Sequence, residues 1–308
     1  MNILRLLAAS FVASAILALV SCGTTDPAVI SIPVAVDSLK ATSVDAATVR
    51  LKWNASSTTN INGYRVTILN TVSGATIGTV NVSGTLVDIN GLTAGAVYLF
   101  RVQTRTADTV SAAKEIRWSP AVRVTTMQGG VIRIYETASG FGSGLRFQGG
   151  TALNLTVARG SEWDLGINTR SNDTLFVGTP EALDYTSITT PRRTKSGSNL
   201  YSNVDSLNQV FDTQVQMDAS GGRYPIILRN TTKGFVGAFQ TVEGNFAKVF
   251  FKASSAGVIL QGTAPNRYVE VEISYQPVAN VPYAITPNAN PIAVKGFIDG
   301  VTFTKITP

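Results

Sequence analysis

The chain of 308 residues contains no histidine and a single cysteine, Cys22. The first absence removes Ser-His-Asp and Cys-His nucleophilic mechanisms and, with only one cysteine, zinc sites built from His and Cys. One cysteine also removes intrachain disulfides, so an exported chain of this composition must rest on a hydrophobic core. Charge is sparse at 14% of residues, and the formal excess of +6 is spread along the chain, apart from a small cluster at Arg192, Arg193 and Lys195. A diffuse excess of that size does not make a nucleic-acid surface. Long helical periodicity is missing. No acidic loop has the spacing of an EF-hand. The glycines of "GFGSGLRFQGG" lack the Lys-Ser/Thr and the following helix of a phosphate-binding loop.

What is present begins with the place of Cys22. A basic residue, Arg5, precedes an apolar run from Leu6 to Val20 that ends in small residues. This is the pattern of a secretory signal, and the run is shorter than the roughly 20 residues a membrane-spanning helix needs. Leu19-Val20-Ser21-Cys22 resembles a bacterial lipobox. The resemblance implies cleavage before Cys22, acylation of its thiol and an exported protein held in the cell envelope by lipid. Several acyl chains together make a stable tether where one does not. Gly23 after the cysteine, in place of an Asp, favours the outer membrane. The expected order is a signal peptide at 1–21, a lipid-anchored tether at 22–32 and two folded units at 33–127 and 128–308.

Gly, Thr, Ser, Val and Asn dominate the remainder, a composition of strands and turns, and the fold class expected is all-β. In the first unit the apolar residues alternate: Val49, Leu51 and Trp53; Tyr64, Val66 and Ile68; Tyr98, Phe100 and Val102. Short alternating strands separated by Gly, Asn and Ser read as a β-sandwich. Trp53, the "GY" opening the next strand, "GLTAGAVYLFRV" and the closing "VRVTT" resemble a fibronectin type III domain. The resemblance implies that Trp53 and Tyr64 are core residues and that Leu92 and Tyr98 form a corner tied by the tyrosine hydroxyl. The loop at 106–115 stands where such domains carry adhesive motifs but has no Arg-Gly-Asp. A spacer or a generic interaction module is implied, since fold alone does not give function.

The second unit also reads as strands, at 131–136, 152–158, 224–230, 237–243, 246–254 and 267–277, the last with Val269, Val271 and Ile273 inward and Glu270 and Glu272 outward. Its glycine-rich stretches read as turns and hairpins. "SEWDLGINTRSNDT" and the Phe246-Ala247-Lys248 triplet followed by "YVEVEISYQ" resemble the HmuY-like envelope lipoproteins. That resemblance implies ligand capture, with haem as the characterised ligand of the family. Its well-known members hold iron between histidines, which this chain lacks, so a haem ligand here would have to be Met217 or, less simply, Tyr201 or Tyr224; the other methionine of the processed chain, Met127, lies at the domain junction.

Two further readings stay open. Glu162 and Asp164 flank Trp163 and would share a strand face, as the paired carboxylates of a surface glycan hydrolase could, though alternation alone puts solvent-facing acids at that spacing. The "PRRTK" cluster reads as an exposed loop or as a contact for lipid headgroups, glycans or ligand carboxylates. The sequence therefore points to a non-enzymatic binding protein at the envelope, whose partners would be haem, a glycan or a surface protein. An adhesion or structural protein without a small ligand is the alternative. No metal site and no catalytic residue is assigned.

Overall fold

Strand alternation in the sequence becomes two stacked-sheet units in a computed structural model, which describes residues 31–127, 130–148, 151–155, 161–169, 174–183, 190–197, 201–211, 223–227, 233–281, 284–285, 290–298 and 301–307. No α-helix occurs among these residues, and none is long and apolar enough to cross a membrane. The first sandwich contains β1 (Asp37–Asp45), β2 (Thr48–Asn54), β3 (Tyr64–Asn70), β4 (Thr76–Val82), β5 (Leu86–Ile89), β6 (Tyr98–Thr104) and β7 (Lys114–Trp118). Its sheets run β1-β2-β5 and β7-β6-β3-β4. Val49, Leu51 and Trp53 from one sheet meet Tyr64, Val66, Ile68, Phe100 and Val102 from the other, all buried. Trp53 and Tyr64 pack edge to face at 5.4 Å, an arrangement that suits the ring quadrupoles. The Tyr98 hydroxyl accepts a 3.0 Å hydrogen bond from the Thr93 N–H, next to Leu92. The expected corner is therefore present.

The second sandwich follows with β8 (Val122–Val124), β9 (Thr126–Met127), β10 (Gly130–Tyr135), β11 (Gly144–Gln148), β12 (Thr151–Leu155), β13 (Leu165–Asn168), β14 (Thr174–Gly178), β15 (Lys195–Ser196), β16 (Tyr201–Val204), β17 (Arg223–Ile227), β18 (Gly234–Gln240), β19 (Phe246–Lys252) and β20 (Tyr268–Tyr275). One sheet runs β15-β18-β19-β20-β10-β9, with β16 on β18 and β8 on β20; the other runs β12-β11-β13-β14-β17. Their inner faces share one core, in which Val269, Val271 and Ile273 lie inward as the alternation predicts. Three further strands follow: the two-residue β21 (Ala284–Ile285) and the hairpin β22 (Asn290–Ile298) with β23 (Val301–Thr307).

The glycine-rich stretch at 140–150 holds a hairpin arm as read, since residues 144–148 form β11, paired antiparallel with β12. Gly144 sits opposite Gly166 on β13, and a Cβ would come within 2.3 Å of Trp163 at the first and 2.7 Å at the second. The glycines open a slot for a buried indole. Val122–Val124, read as closing the first sandwich, instead pairs with β20 of the second. Both sandwiches lie within the compact unit Pro33–Pro308.

Candidate functional site

The side chains with chemistry fall into two places, an ionic knot inside the second sandwich and a joint between the sandwiches. Asp164 organises the knot. Its carboxylate is fully buried and accepts from Arg192 Nε, from the Thr194 hydroxyl at 2.7 Å and from the Phe147 N–H at 2.9 Å. Arg192 also donates to Glu243, and Arg146 lies 3.7 Å from the same carboxylate. Burial pushes the Asp164 carboxyl up, against the pull of Arg192. Arg192 is therefore not part of an exposed loop, as "PRRTK" suggests; its side chain is 9% exposed, while Arg193 and Lys195 face solvent. Asp164 is likewise not a solvent-facing acid. Glu162 is half-buried outside the knot.

Three further acids of this domain, Glu136, Glu270 and Glu272, are also paired. Glu136 is buried and accepts from the Arg267 guanidinium at 2.7 Å, the Arg267 N–H at 3.0 Å and the Thr169 hydroxyl at 3.1 Å, which holds its carboxyl below the usual range. Glu270 bonds to Arg133 at 3.0 Å, and Glu272 bonds to both Arg123 and Lys252. Among the described residues, no three of His, Cys, Asp or Glu converge to hold a metal ion.

The joint is built by β19. On a strand, alternate residues face opposite sides. Ala247, Val249 and Phe251 face the core of their own sandwich. Phe246, on the other side, belongs to the core of the first sandwich, and Phe250 packs with Leu207, Val210 and Val236. Between them Lys248 is fully buried. Its ammonium donates to the Thr42 hydroxyl on β1 at 2.9 Å and to the Val210 carbonyl at 3.1 Å, and lies 6.0 Å from the Trp118 ring centroid. Burial, with the Arg123 charge nearby, lowers its pKa to about 7. Around it, Arg123 on β8 bonds to Glu272 at 2.8 Å and to Asn208 at 3.1 Å, and Gln276 donates to the Pro120 carbonyl at 3.3 Å. Gly95 of the first sandwich, with φ +84°, comes so near the second that a Cβ would lie 2.5 Å from Val278 Cγ2. β21 adds to β7, carrying chain from beyond the second sandwich onto a sheet of the first.

The Phe246-Ala247-Lys248 triplet thus places its first and third residues in the joint. Its signal in the sequence is the uninterrupted apolar run around one lysine, which marks a strand buried on both faces. Of the residues expected as haem ligands, the structure describes the side chain of Tyr201 only. Tyr201 packs on the Leu207–Phe250 cluster, and Met127 packs on the sandwich core. Met217, the side chain of Tyr224 and Cys22, the residue expected to be acylated, lie outside the described residues.

The profile of the fibronectin type III domain family matches residues 34–125. With the sheet order β1-β2-β5 and β7-β6-β3-β4, this part of the chain is a fibronectin type III domain. Solved structures similar to the chain include an Fn3-like protein from Clostridium thermocellum, at 26% identity over 28% of this chain and 90% of that one, with a TM-score of 0.24. The fn3 domain of human collagen alpha-1(XX) chain is 23% identical over 35% of this chain and 99% of that one, with a TM-score of 0.27. A two-domain fibronectin type III segment of chicken tenascin is 13% identical over 71% of this chain and 91% of that one, again at 0.27. Comparison with curated proteins finds no match.

Proposed function

We propose that the protein is a non-catalytic binding and display protein of the bacterial envelope, anchored by lipid on Cys22, in which the fibronectin type III domain holds the second sandwich rigidly toward its partner. The observation that carries this reading is the joint. Chain passes from β7 to β8 through Ser119, Pro120 and Ala121, all buried, and Phe246 and Lys248 enter the first sandwich from the second. A spacer joined by packing keeps a fixed offset, which suits presentation of a surface to a glycan or protein partner. The anchor and the outer-membrane location are supported by the sequence around Cys22 and by Gly23.

The hydrolase alternative loses support because Asp164 is engaged by Arg192, Thr194 and the Phe147 N–H, leaving it no approach to a substrate. The HmuY-like resemblance rests on its sequence motifs alone, whose residues stand in the glycine slot and knot (Trp163, Asp164) and in the joint (Phe246, Lys248).

The test uses the full chain expressed in a Gram-negative host. Wild type should fractionate with the outer membrane and incorporate labelled palmitate, and Cys22→Ala should do neither; membrane retention of the variant would sink the anchoring. Haem added to the purified protein should give no saturable absorbance change. A saturable change that Met217→Ala alters would replace display by ligand capture.

A further inference from the structure

Four strand edges bound the two sheets of the fibronectin type III domain, and three are guarded. β1 carries Asp37, Lys40 and Asp45 and two register shifts. β5 has four residues, among them Asp88 paired to Arg50 at 2.7 Å. β7 is covered by β21. Charge, bulges, brevity and cover are the devices that keep sheet edges from pairing with other chains.

β4 lacks charge, brevity and cover, and carries only one register shift, at Ile77 near its start. It runs seven residues, Thr76–Val82, at the open end of its sheet, and no charged residue occurs from Val66 to Val87. The strand is rich in Thr and Val, and its residues are exposed or half-exposed throughout. Val72, Ile77 and Leu86 are each more than half exposed, and Val80 is 38% exposed although it lies opposite the buried Val66. These are four of the ten large exposed apolar side chains among the described residues. On β4 itself, unpaired backbone groups and the apolar side chains of Ile77 and Val80 share one edge.

We propose that β4 is a homodimerisation edge, pairing antiparallel with β4 of a second copy about a two-fold axis. Self-complementarity selects the occupant. The chain carries +6, so most of its surfaces repel a copy, whereas this edge brings no like charge against itself. Antiparallel self-pairing about Thr79 sets Thr76 against Val82 and Thr79 against its own copy, β-branched pairs that favour the ladder. The first sandwich offers one such edge, so a two-fold contact closes at the dimer and leaves no free edge for a fibre to grow from.

The test is sedimentation velocity on the full chain carrying Cys22→Ser, over a concentration series. The expected result is a reversible shift to twice the monomer mass. Thr79→Lys and Ile77→Lys, both at exposed positions, should weaken dimerisation by roughly tenfold or more through like charges brought face to face. Val131→Lys on β10, also exposed, should leave it unchanged. Hydrogen exchange gives a second readout, with β4 amides of the Cys22→Ser chain gaining protection as concentration rises. A chain that stays monomeric, lysine variants that dimerise as the parent does, or equal loss in Val131→Lys would each overturn the proposal. In the first case capture of a foreign extended segment becomes the explanation to pursue.

Discussion

Lys248 on β19 reaches across 206 residues of sequence to donate a 2.9 Å hydrogen bond to Thr42 on β1. An ammonium buried this completely is costly to ionise, and the nearby Arg123 adds to the cost. Its oxygen partners, from two different parts of the fold, fix how the sandwiches meet.

The first prediction follows from that lysine. Its pKa is about 7 in the folded protein, against an ordinary value of 10.5. Between these values the unfolded chain binds the proton and the folded one releases it. Stability should therefore rise with pH across this window, by at most about 1.4 kcal/mol per pH unit from this group. Below pH 7 the penalty is fully present, and above 10.5 it is gone. Urea denaturation of wild type and Lys248→Met at several pH values isolates the effect. The difference between the two proteins should change with pH in wild type's favour as pH rises, and a constant difference would show that Lys248 does not titrate there.

Tyr98→Phe removes only the hydroxyl that ties the corner to Thr93. A loss of about 1 kcal/mol is expected, the usual net value of one hydrogen bond. The fold should stay intact by near-ultraviolet circular dichroism, and no loss of urea midpoint would show the tie to be energetically idle.

Asp164 and Glu162 should separate sharply. Asp164→Ala takes the acceptor from the buried Phe147 N–H and Thr194 hydroxyl, leaves Arg192 with Glu243 alone, and should cost about 3 kcal/mol. Glu162→Ala should cost about 1 kcal/mol or less. Thermal denaturation of both decides the matter. Equal, small effects would mean that the knot is not structural and would reopen the paired-carboxylate reading.

Gly95→Ala meets two obstacles, a positive φ and Val278 at 2.5 Å from the new methyl. About 1–3 kcal/mol of destabilisation is expected from strain of this kind. Val278→Ala in the same chain should recover part of it by removing the clash while leaving the backbone penalty.

Much of the first sandwich was legible because its strands have one wet and one dry face. Val49, Leu51 and Trp53 announce that geometry by alternation, and Leu92 with Tyr98 announces the corner. β4 was passed over because both its faces are exposed, so alternation carries no signal there. Nothing in the sequence tied Gly144 and Gly166 to each other; their shared reason is the width of the Trp163 indole, which only the fold reveals. Arg192 looked like surface because arginine usually is, and its burial depends on acids 28 and 51 residues away. The joint was hidden for the same cause. A lysine in an apolar strand says that something must receive it, but not that the receiver is a threonine near the start of the other domain.

The direct passage from β7 to β8 also has a mechanical consequence. Were the chain tethered at a cell surface, as proposed, flow and whatever it holds would pull on it. Where two modules hang on a loose linker, the linker straightens first and absorbs the pull. Here Ser119, Pro120 and Ala121 are buried and offer no slack. Load would pass at once into the β8–β20 ladder, at Val124–Ile273, Arg123–Ser274 and Val122–Tyr275. Those few rungs and the side chains packed beside them set how much tension the molecule bears before its two halves part.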